Sequence, residues 1–431
     1  MSNTREQAVK ILKESLSQKK FLNIENNETH HNSSEEMKFL NMLCRTAMRH
    51  LEGTKQLLKK FLHKELRAKD QDAYFALILG INELLYLNTP DYAVINSYVE
   101  IIKKKTNKYI GGMANAILHK IAQQKQTILK EKFPFFSTEF YNILKEDYNK
   151  ETITKIEQSL LTEPPLTISV KKDVTVWSER LNGQFISNNS ICTFQGGKIS
   201  DFSGYAEGEW WVQDFAATLA VQSLGTIKKG TKILDLCAAP GGKTAQLLNN
   251  GAKVTSLDSS QERLQTLIQN INRLKFPLPR ILNEDAQQYL KTSQDEPYDA
   301  IILDAPCSAT GIFRRHPEII HLKTYQDIKQ QALLQEKILE AVPNKLKPSG
   351  FLIYCVCSIA KTEGEKQILN FVEKHPEFKI IPIKEKEINS RNDLNLSDLI
   401  TKEGFIRTLP YMLKEYGGID SFFIAKLQKV K

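Results

Sequence analysis

The stretch KILDLCAAPGGKTAQLLNN, residues 232–250, decides the fold of this 431-residue chain. It begins with a short apolar run around Asp235, continues through a loop of small residues, and ends in the pattern of a helix. A strand, a small-residue loop and a helix in this order let the backbone come close to a ligand. The stretch therefore predicts the first unit of an α/β nucleotide-binding domain.

Strand and helix patterns keep alternating from this stretch to the C-terminus. The longest helical patterns cover residues 260–274 and 327–346, and KPSG (347–350) predicts a turn. Strands that alternate with helices predict a parallel, doubly wound sheet, whose ligands bind at the carboxyl ends of its strands. We expect this Rossmann-like domain to cover residues 216–431. The further strand candidates are KVTSLD (253–258), PRILNED (279–285), DAIILD (299–304), FLIYCVC (351–357), FKIIPI (378–383) and DSFFIAKL (420–427).

The first 130 residues predict an all-helical domain. Apolar residues recur there at spacings of three and four, and a polar loop, ENNETHHNSSEE (25–36), interrupts them. The last of these helices is expected to follow Gly111-Gly112. Residues 131–215 predict linker helices and a small α+β subdomain, because short β-rich runs alternate there with Asn, Gly and Ser. These runs are LTISVKK, VTVWS, GQFIS and ICTFQGG.

Charge and cysteine usage narrow the class of protein. The net charge is +9, and residues 1–130 hold 21 Lys and Arg against 13 Asp and Glu. This surplus fits either a polyanionic partner or a Lys-rich solvated surface. The six cysteines are too scattered for a disulfide framework, and no leader-like or 18-residue apolar run occurs. We expect a cytoplasmic protein with free thiols that does not span a membrane.

Spacing around the loop distinguishes the possible ligands. A phosphate-binding P-loop requires Gly five positions before Gly242, where this chain has Cys237, and no G-x-G-x-x-G is present. Asp258 ends the second strand, where a carboxylate can accept hydrogen bonds from ribose hydroxyls. Asp285 follows the third strand and is placed to meet an adenine edge. The pattern fits S-adenosylmethionine better than a dinucleotide, although both aspartates could instead be helix N-caps.

Two segments carry a resemblance to known families. LILGINELLYLNTPDYAVINSYVEIIKK (77–104), followed by ANAIL, resembles the NusB-like RNA-binding helical domain. CAAPGGKT, DAPCSATG and YCVCS, in this order, resemble the RNA 5-methylcytosine methyltransferases of the Sun (Fmu) family. EGEWWVQDFAATL before the first strand and RRHPEI after the second motif resemble that family too. The resemblance implies a class I methyltransferase domain that modifies small-subunit ribosomal RNA, with transfer RNA or a non-catalytic assembly role as alternatives.

The resemblance also implies roles for individual residues. Cys357 would be the nucleophile that adds to carbon 6 of cytosine, and Cys307 would help to release the product. Asp304 would contact ring nitrogen 3 and also the cofactor. The related DNA enzymes use the cysteine that matches Cys307, which is the alternative nucleophile. The loop residues expected to bind S-adenosylmethionine are Cys237, Ala238, Ala239, Pro240, Gly241, Gly242 and Lys243.

Chemistry explains why these residue types are required. Carbon 5 of cytosine is a poor nucleophile until a thiolate adds to carbon 6, and a base must later remove the carbon 5 proton. Val356 stands where the family usually has Thr, and Cys355 replaces a small residue, for which we expect inert packing. No metal is expected, because Cys-x-Cys lacks the two-residue gap of common zinc sites. Arg314-Arg315-His316 is expected to contact phosphate or to form a solvated turn. We expect a monomer.

Overall fold

The computed structural model describes residues 2–24, 33–62, 64, 66–389, 391 and 393–430. Residues 25–32 of the predicted polar loop lie outside this set. The chain forms two compact units. The helical unit comprises Met1–Asn142 and Arg315–Lys323, and the sheet unit comprises Ile143–Arg314 and Thr324–Lys431. Domain boundaries at residues 130 and 215 stay predictions.

The helical unit begins with the elements that the apolar spacing predicted. Ser33 caps the second helix, since its side chain accepts a hydrogen bond from the Glu36 amide and Glu36 reaches back to the Ser33 amide. Asn107 caps α6, which therefore starts before Gly111-Gly112 and runs through both glycines. The helices are α1 (Ser2–Gln18), α2 (Ser34–Arg49), α3 (Leu51–Phe61), α4 (Gln71–Tyr86), α5 (Asp91–Lys105), α6 (Lys108–Gln123) and α7 (Lys125–Ile128).

Helix α4 lies at the centre of the helical unit, because its residues from Phe75 to Leu85 are buried. A charged pair is enclosed in this core. Arg5 of α1 places Nη2 2.5 Å from Oε1 of Glu83 and Nε 2.9 Å from Oε2. The side chains are 3% and 0% exposed. The pair joins the first helix to the central helix without reaching solvent.

Residues 315–323 complete the helical unit from far along the chain. Glu318 accepts a hydrogen bond from the Leu22 amide at 3.2 Å, and the Ser137 hydroxyl donates to the Ile320 carbonyl at 2.8 Å. The His321 ring lies 2.8 Å from the Met48 carbonyl oxygen through Nε2. This segment contains most of the RRHPEI motif. Its packing inside the helical unit was not visible in the sequence.

The sheet unit opens with a small sheet in the order β2–β3–β1–β4. The expectation of a β-rich run at VTVWS was wrong, because residues 174–180 form a helix. Trp177 and Leu181 are four positions apart and pack into one hydrophobic cluster, so tertiary packing overrides β propensity. The elements are α8 (Thr138–Asp147), α9 (Lys150–Ser159), β1 (Leu166–Val170), α10 (Val174–Arg180), β2 (Gly183–Ser187), β3 (Ser190–Thr193), β4 (Trp210–Val212) and α11 (Phe215–Gln222).

The large sheet follows in the order β10–β12–β9–β8–β5–β6–β7, with β11 beside β12. Strands β5 to β9 are parallel, as expected. The expectation was wrong for β12, which runs in the opposite direction and pairs antiparallel with β9, β10 and β11; an antiparallel strand near the edge of an otherwise parallel sheet is common. The elements of this part of the sheet unit are β5 (Lys232–Leu236), α12 (Gly242–Asn249), β6 (Lys253–Asp258), α13 (Gln261–Arg273), β7 (Arg280–Asn283), α14 (Ala286–Thr292), β8 (Tyr298–Asp304), α16 (Tyr325–Leu339), β9 (Leu346–Val356), α17 (Glu365–Lys374), β10 (Phe378–Ile380), α18 (Glu385–Ile388), β11 (Ile406–Arg407) and β12 (Phe423–Lys429); α15 (Ile319–Leu322), between β8 and α16 in the chain, belongs to the helical unit.

The parallel pairing brings the sequence motifs to one edge of the sheet. Strand β8 lies between β5 and β9, and the three strands point the same way. The turn predicted at residues 347–350 lies inside β9, where Ser349 has a φ of 62° and the strand is irregular. Within the described ranges, no helix combines the length and apolar character needed to cross a membrane.

Candidate active site

The loops after β8 and β9 are bonded to each other. The Ala305 amide donates to the Cys355 carbonyl at 2.9 Å, and the Gly311 amide donates to the Cys357 carbonyl at 2.9 Å. Adjacent parallel strands end at the same edge, so the residues that follow Asp304 and Val356 meet there. The family resemblance assigned Cys307 and Cys357 to one reaction, and the structure brings them together.

Cys307 and Cys357 are in direct contact. Their sulfur atoms are 3.4 Å apart, and each side chain is only partly buried. Cys355 is fully buried in the same hydrophobic cluster as Ile353, and Cys357 packs against that cluster. Cys355 and Cys357 therefore lie on one face, in line with the alternation of side chains along a strand. Cys355 lies 3.5 Å from Oδ1 of Asp304 through its Sγ.

The electrostatic environment keeps Cys357 protonated at rest. The hydrogen bond with Cys307 raises the pKa of the Cys357 thiol well above its usual range, and burial and the charge of Asp304 add to this. The Lys243 ammonium acts in the opposite direction. Burial also raises the pKa of Cys237 and that of Cys355. Cys357 therefore needs a proton acceptor before it can act as a thiolate.

Asp304 and Lys243 form an ion pair beside the two cysteines. Nζ of Lys243 lies 2.7 Å from Oδ2 of Asp304. The lysine side chain is 8% exposed, whereas the aspartate is 34% exposed. Burial lowers the pKa of Lys243, but the Asp304 carboxylate outweighs burial and the net change is upward. The Lys243 ammonium is therefore held in a buried position, and the Asp304 carboxylate is partly exposed to solvent.

The loop between β5 and α12 has a backbone conformation that favours small residues. Cys237 and Gly241 have φ values of 59° and 101°. A Cβ added at Gly241 would stand 2.9 Å from the Leu267 side chain. The Ala239–Pro240 bond is cis, and the Ala238 amide donates to the Leu257 carbonyl. This hydrogen bond holds the loop against the end of β6.

The structure places the two candidate nucleoside-binding carboxylates differently. Asp258 is 2% exposed, and its oxygens accept hydrogen bonds from the amides of Ala239 and Ser260 at 3.2 and 3.0 Å. Asp285 is exposed and caps α14 through the Gln288 amide at 2.9 Å. The sequence left two interpretations of Asp285 open, and the structure shows that this residue is a helix N-cap. Its contact with adenine stays a prediction.

Asp235 lies beneath the loop in a fully buried position. The Thr244 hydroxyl donates to its Oδ2 at 2.6 Å, and Oδ1 has no hydrogen-bond partner among the described residues. Burial raises the pKa of this carboxyl to about 7. The residue thus supports the loop from the core, while solvent does not reach it.

One acidic residue near the cysteines was not visible in the sequence, and one basic residue lies where the sequence did not predict it. Glu363 is fully buried and contacts the residues that follow both cysteines; no spacing rule in the sequence marks such a carboxylate. Arg314 is 2% exposed and donates to the Gly417 carbonyl at 2.8 Å and to the Ser159 carbonyl at 3.2 Å. For Arg314, both the phosphate contact and the solvated turn were wrong, because it binds backbone in the core.

The residues at this edge fit S-adenosylmethionine. The loop offers glycine backbone, and a Cβ at Gly242 would meet no atom closer than 3.6 Å. Carboxylates of Asp258 and Asp304 and the Lys243 ammonium supply partners for hydroxyl, amino and carboxylate groups. Within the part of the chain that the structure describes, no cluster of at least three His, Cys, Asp or Glu side chains could hold a metal ion.

Comparisons with known proteins agree with this geometry. Residues 223–428 match the model of 16S rRNA methyltransferase RsmB/F, and residues 2–123 match the NusB family. Ribosomal RNA small subunit methyltransferase B of Pasteurella multocida is 29% identical, covering 99% of this chain and 96% of the relative. The probable ribosomal RNA small subunit methyltransferase B of Coxiella burnetii is 31% identical, over 79% of this chain and 84% of the relative.

Solved structures share the fold. The crystal structure of PH0851 is 23% identical, with a TM-score of 0.71, covering 93% of this chain and 91% of that one. NSun6 from Pyrococcus horikoshii, solved with SFG, is 20% identical, with a TM-score of 0.57 over 69% of this chain and 99% of that one.

Proposed function

This chain belongs to the family of ribosomal RNA small subunit methyltransferase B, and from that premise we propose that it methylates carbon 5 of a cytosine in bacterial small-subunit (16S) ribosomal RNA. Its cofactor is S-adenosylmethionine. The observation that carries the proposal is the contact of Cys307 and Cys357 at 3.4 Å beside the Asp304–Lys243 pair. Cytosine methylation needs one thiol to add and a second group to assist elimination, and both are within one small volume.

The residues divide the work as follows. S-adenosylmethionine, when bound, supplies an electrophilic methyl group. Cys357 forms a bond from its sulfur to carbon 6 of cytosine, while the thiol proton ends on ring nitrogen 3. Asp304 accepts a hydrogen bond from the N–H that forms there and so stabilises the protonated nitrogen after addition. Its open side and its fixed Lys243 partner support this role.

Elimination restores the enzyme. Cys307 assists removal of the carbon 5 proton once carbon 5 carries the methyl group. The electron pair of that C–H bond re-forms the ring double bond. The bond between Cys357 and carbon 6 breaks with its electron pair returning to sulfur, which regains the proton held on ring nitrogen 3. Overall, one methyl group enters the base and one proton is released. The target base must leave its stack to reach a thiol at the edge of a sheet.

Basic side chains of the helical unit support an RNA substrate. Lys103, Lys104 and Lys108 are exposed at the junction of α5 and α6, beside Tyr109, which is 84% exposed. Ammonium groups release counterions from phosphates, and an aromatic ring can stack on an unpaired base. Methyl transfer at subsaturating RNA should therefore fall steeply as salt rises.

The decisive experiment is transfer of labelled methyl groups from S-adenosylmethionine to unmethylated 16S ribosomal RNA. We expect 5-methylcytosine with the wild type, and a loss of about 10³-fold or more with Cys357→Ala. Cys307→Ala should accumulate a covalent protein–RNA adduct, because addition proceeds without release. Cys192→Ala, in the small sheet, is the control and should transfer normally.

The other outcomes correct the proposal in defined ways. An adduct with Cys357→Ala and none with Cys307→Ala would make Cys307 the nucleophile. Label in transfer RNA but not in ribosomal RNA would retain the chemistry and replace the substrate. Absence of transfer to either RNA would leave a non-catalytic assembly role.

A further inference from the structure

One carboxylate connects the two cysteine loops from inside the protein. Glu363 is fully buried, in the short segment before α17. Its Oε1 accepts hydrogen bonds from the Ser308 amide at 2.8 Å and from Nε2 of Gln335 at 3.0 Å. Its Oε2 accepts from the hydroxyls of Ser308 and Ser358, each at 2.5 Å. These donors compensate a charge that would otherwise be costly to bury.

The residues that Glu363 holds are the immediate neighbours of the cysteines. Ser308 follows Cys307, and Ser358 follows Cys357. The Thr310 hydroxyl lies 2.9 Å from that of Ser308 and 3.0 Å from that of Ser358, which closes the network. A shift of the carboxylate would therefore move both loops relative to each other.

The anchor itself is fixed by the sheet. The hydroxyl of Tyr354, in β9, donates to the Glu363 carbonyl at 2.7 Å and lies 3.1 Å from Oε1 of Gln335. Gln335 in turn donates to the Pro306 carbonyl at 2.9 Å, two positions after Asp304. Burial raises the pKa of Glu363, and its hydrogen bonds oppose the shift. Solvent and substrate do not reach the group.

We propose that Glu363 is a positioning residue that sets the spacing of Cys307 and Cys357. The importance of this spacing for methyl transfer rests on the proposed function, whereas the spacing itself can be measured in the free protein. Glu363 acts through Ser308 and Ser358 and touches no reacting atom.

Reach and charge can be separated at this position. In Glu363→Gln the amide oxygen can accept from the N–H donors, and the amide nitrogen can donate to the two hydroxyls, which reverse their roles. This variant keeps the length and removes the charge. Glu363→Asp keeps the charge and shortens the side chain by one methylene, so it cannot span both loops. The proposal requires the Gln variant to resemble the wild type and the Asp variant to fail.

The test measures disulfide formation between Cys307 and Cys357 under diamide, which takes up the two thiol hydrogens. The bond is identified by peptide mass spectrometry on the full chain, and the melting temperature and labelled methyl transfer are recorded alongside. Glu363→Asp should slow disulfide formation at least fivefold and lower methyl transfer by about 10²-fold, as expected for misplacement of about 1 Å. Glu363→Gln should stay within threefold of wild type in both assays.

Two further variants complete the design. Asp299→Asn is the matched control, because Asp299 also accepts a backbone amide, from Lys232 at 2.8 Å, but lies at the opposite end of β8. Ser358→Ala removes one of the donors to Glu363 and should slow disulfide formation even if Glu363→Asp does not fold.

The outcomes separate this proposal from the reaction. Wild-type disulfide rates in both Glu363→Asp and Ser358→Ala would overturn the positioning role. A Gln variant slower than the Asp variant would overturn it too, since charge would then matter more than reach. If the wild type transfers no methyl group but Glu363→Asp still slows the disulfide, the proposed function fails and the positioning role stands.

Discussion

Each unit of the molecule contains a buried cation beside a carboxylate, and the two pairs differ at one end. In the helical unit, Arg5 and Glu83 are 3% and 0% exposed. In the sheet unit, Lys243 is 8% exposed and Asp304 is 34% exposed. Both side chains of the first pair are buried and bonded to each other, and we call it the closed pair. In the second pair the cation is buried and the carboxylate is partly exposed to solvent, and we call it the open pair.

The comparison separates a pair that supports packing from one that is available for chemistry. A closed pair gives little net stability against apolar residues of the same volume, but breaking it leaves an uncompensated charge. An open carboxylate can still accept a partner, while the buried cation holds its position. Mutation should therefore affect stability in the first case and activity in the second.

The largest expected effect comes from breaking the closed pair. Arg5→Met should lower the free energy of opening of α4 by about 3–5 kcal/mol, because Glu83 is left charged in the core. Native-state hydrogen exchange across α4 measures it. Lys10→Met removes an exposed i,i+4 partner of Glu14 in the same helix and should cost under about 1 kcal/mol.

The closed-pair assignment has a clear counter-test. Arg5→Met combined with Glu83→Leu should recover most of the lost protection, since no charge remains unpaired. A double variant as unstable as Arg5→Met alone would contradict this account of the pair.

A smaller effect is expected at the open pair. Lys243→Met should lower kcat/KM for methyl transfer about 100-fold, or about 2.7 kcal/mol, because Asp304 loses its fixed cation. The melting temperature should change little in comparison. Lys232→Met is the control. It removes an exposed lysine of β5 that pairs with Glu296, and it should leave activity unchanged. Equal losses of activity in both variants would refute the special role of Lys243.

The smallest effect concerns Asp235, which is closed and lacks a cationic partner among the described residues within hydrogen-bond distance. Its pKa is raised by burial from 3.8 to about 7. The folded state therefore binds this proton more tightly than the unfolded chain does, and the stability that the proton contributes is lost as pH rises from about 4 to 7. Asp235→Asn removes this loss and keeps the bond from Thr244.

The advantage of Asp235→Asn should grow by about 2 kcal/mol between pH 5 and pH 8. Urea unfolding followed by tryptophan fluorescence reports it, because Trp177, Trp210 and Trp211 all lie in the sheet unit. Asp398→Asn, at an exposed position, is the control. An advantage that does not change with pH would show that Asp235 is ionised in the fold.

The sequence could predict the parts of the site that depend on strand ends. Parallel strands gather their carboxyl ends, so Asp304, Cys307 and Cys357 could be brought together from their positions in the pattern alone. The two-residue period of side chains along a strand likewise puts Cys355 on the same face as Cys357. The loop that we propose to bind the cofactor could also be located, because a strand, small residues and a helix follow each other directly.

Contacts that depend on packing could not be predicted. VTVWS has β propensity, yet Trp177 packs with Leu181 at helical spacing. Glu363 reaches the serines only because two loops and α16 meet around it. The reversed direction of β12 follows from where the chain re-enters the sheet, and a list of strand candidates does not contain that direction.

The segment Arg315–Lys323 has a consequence for the order of events during synthesis. Leu22 meets Glu318 and Met48 meets His321 across 296 and 273 residues. On a ribosome that delivers the chain from its first residue, the helical unit must wait for more than half of the sheet unit to emerge. Its first helices can pair early, but the unit is finished only after the strand that ends in Asp304 has been made. The helical unit therefore begins to emerge before the sheet unit and is completed after more than half of it.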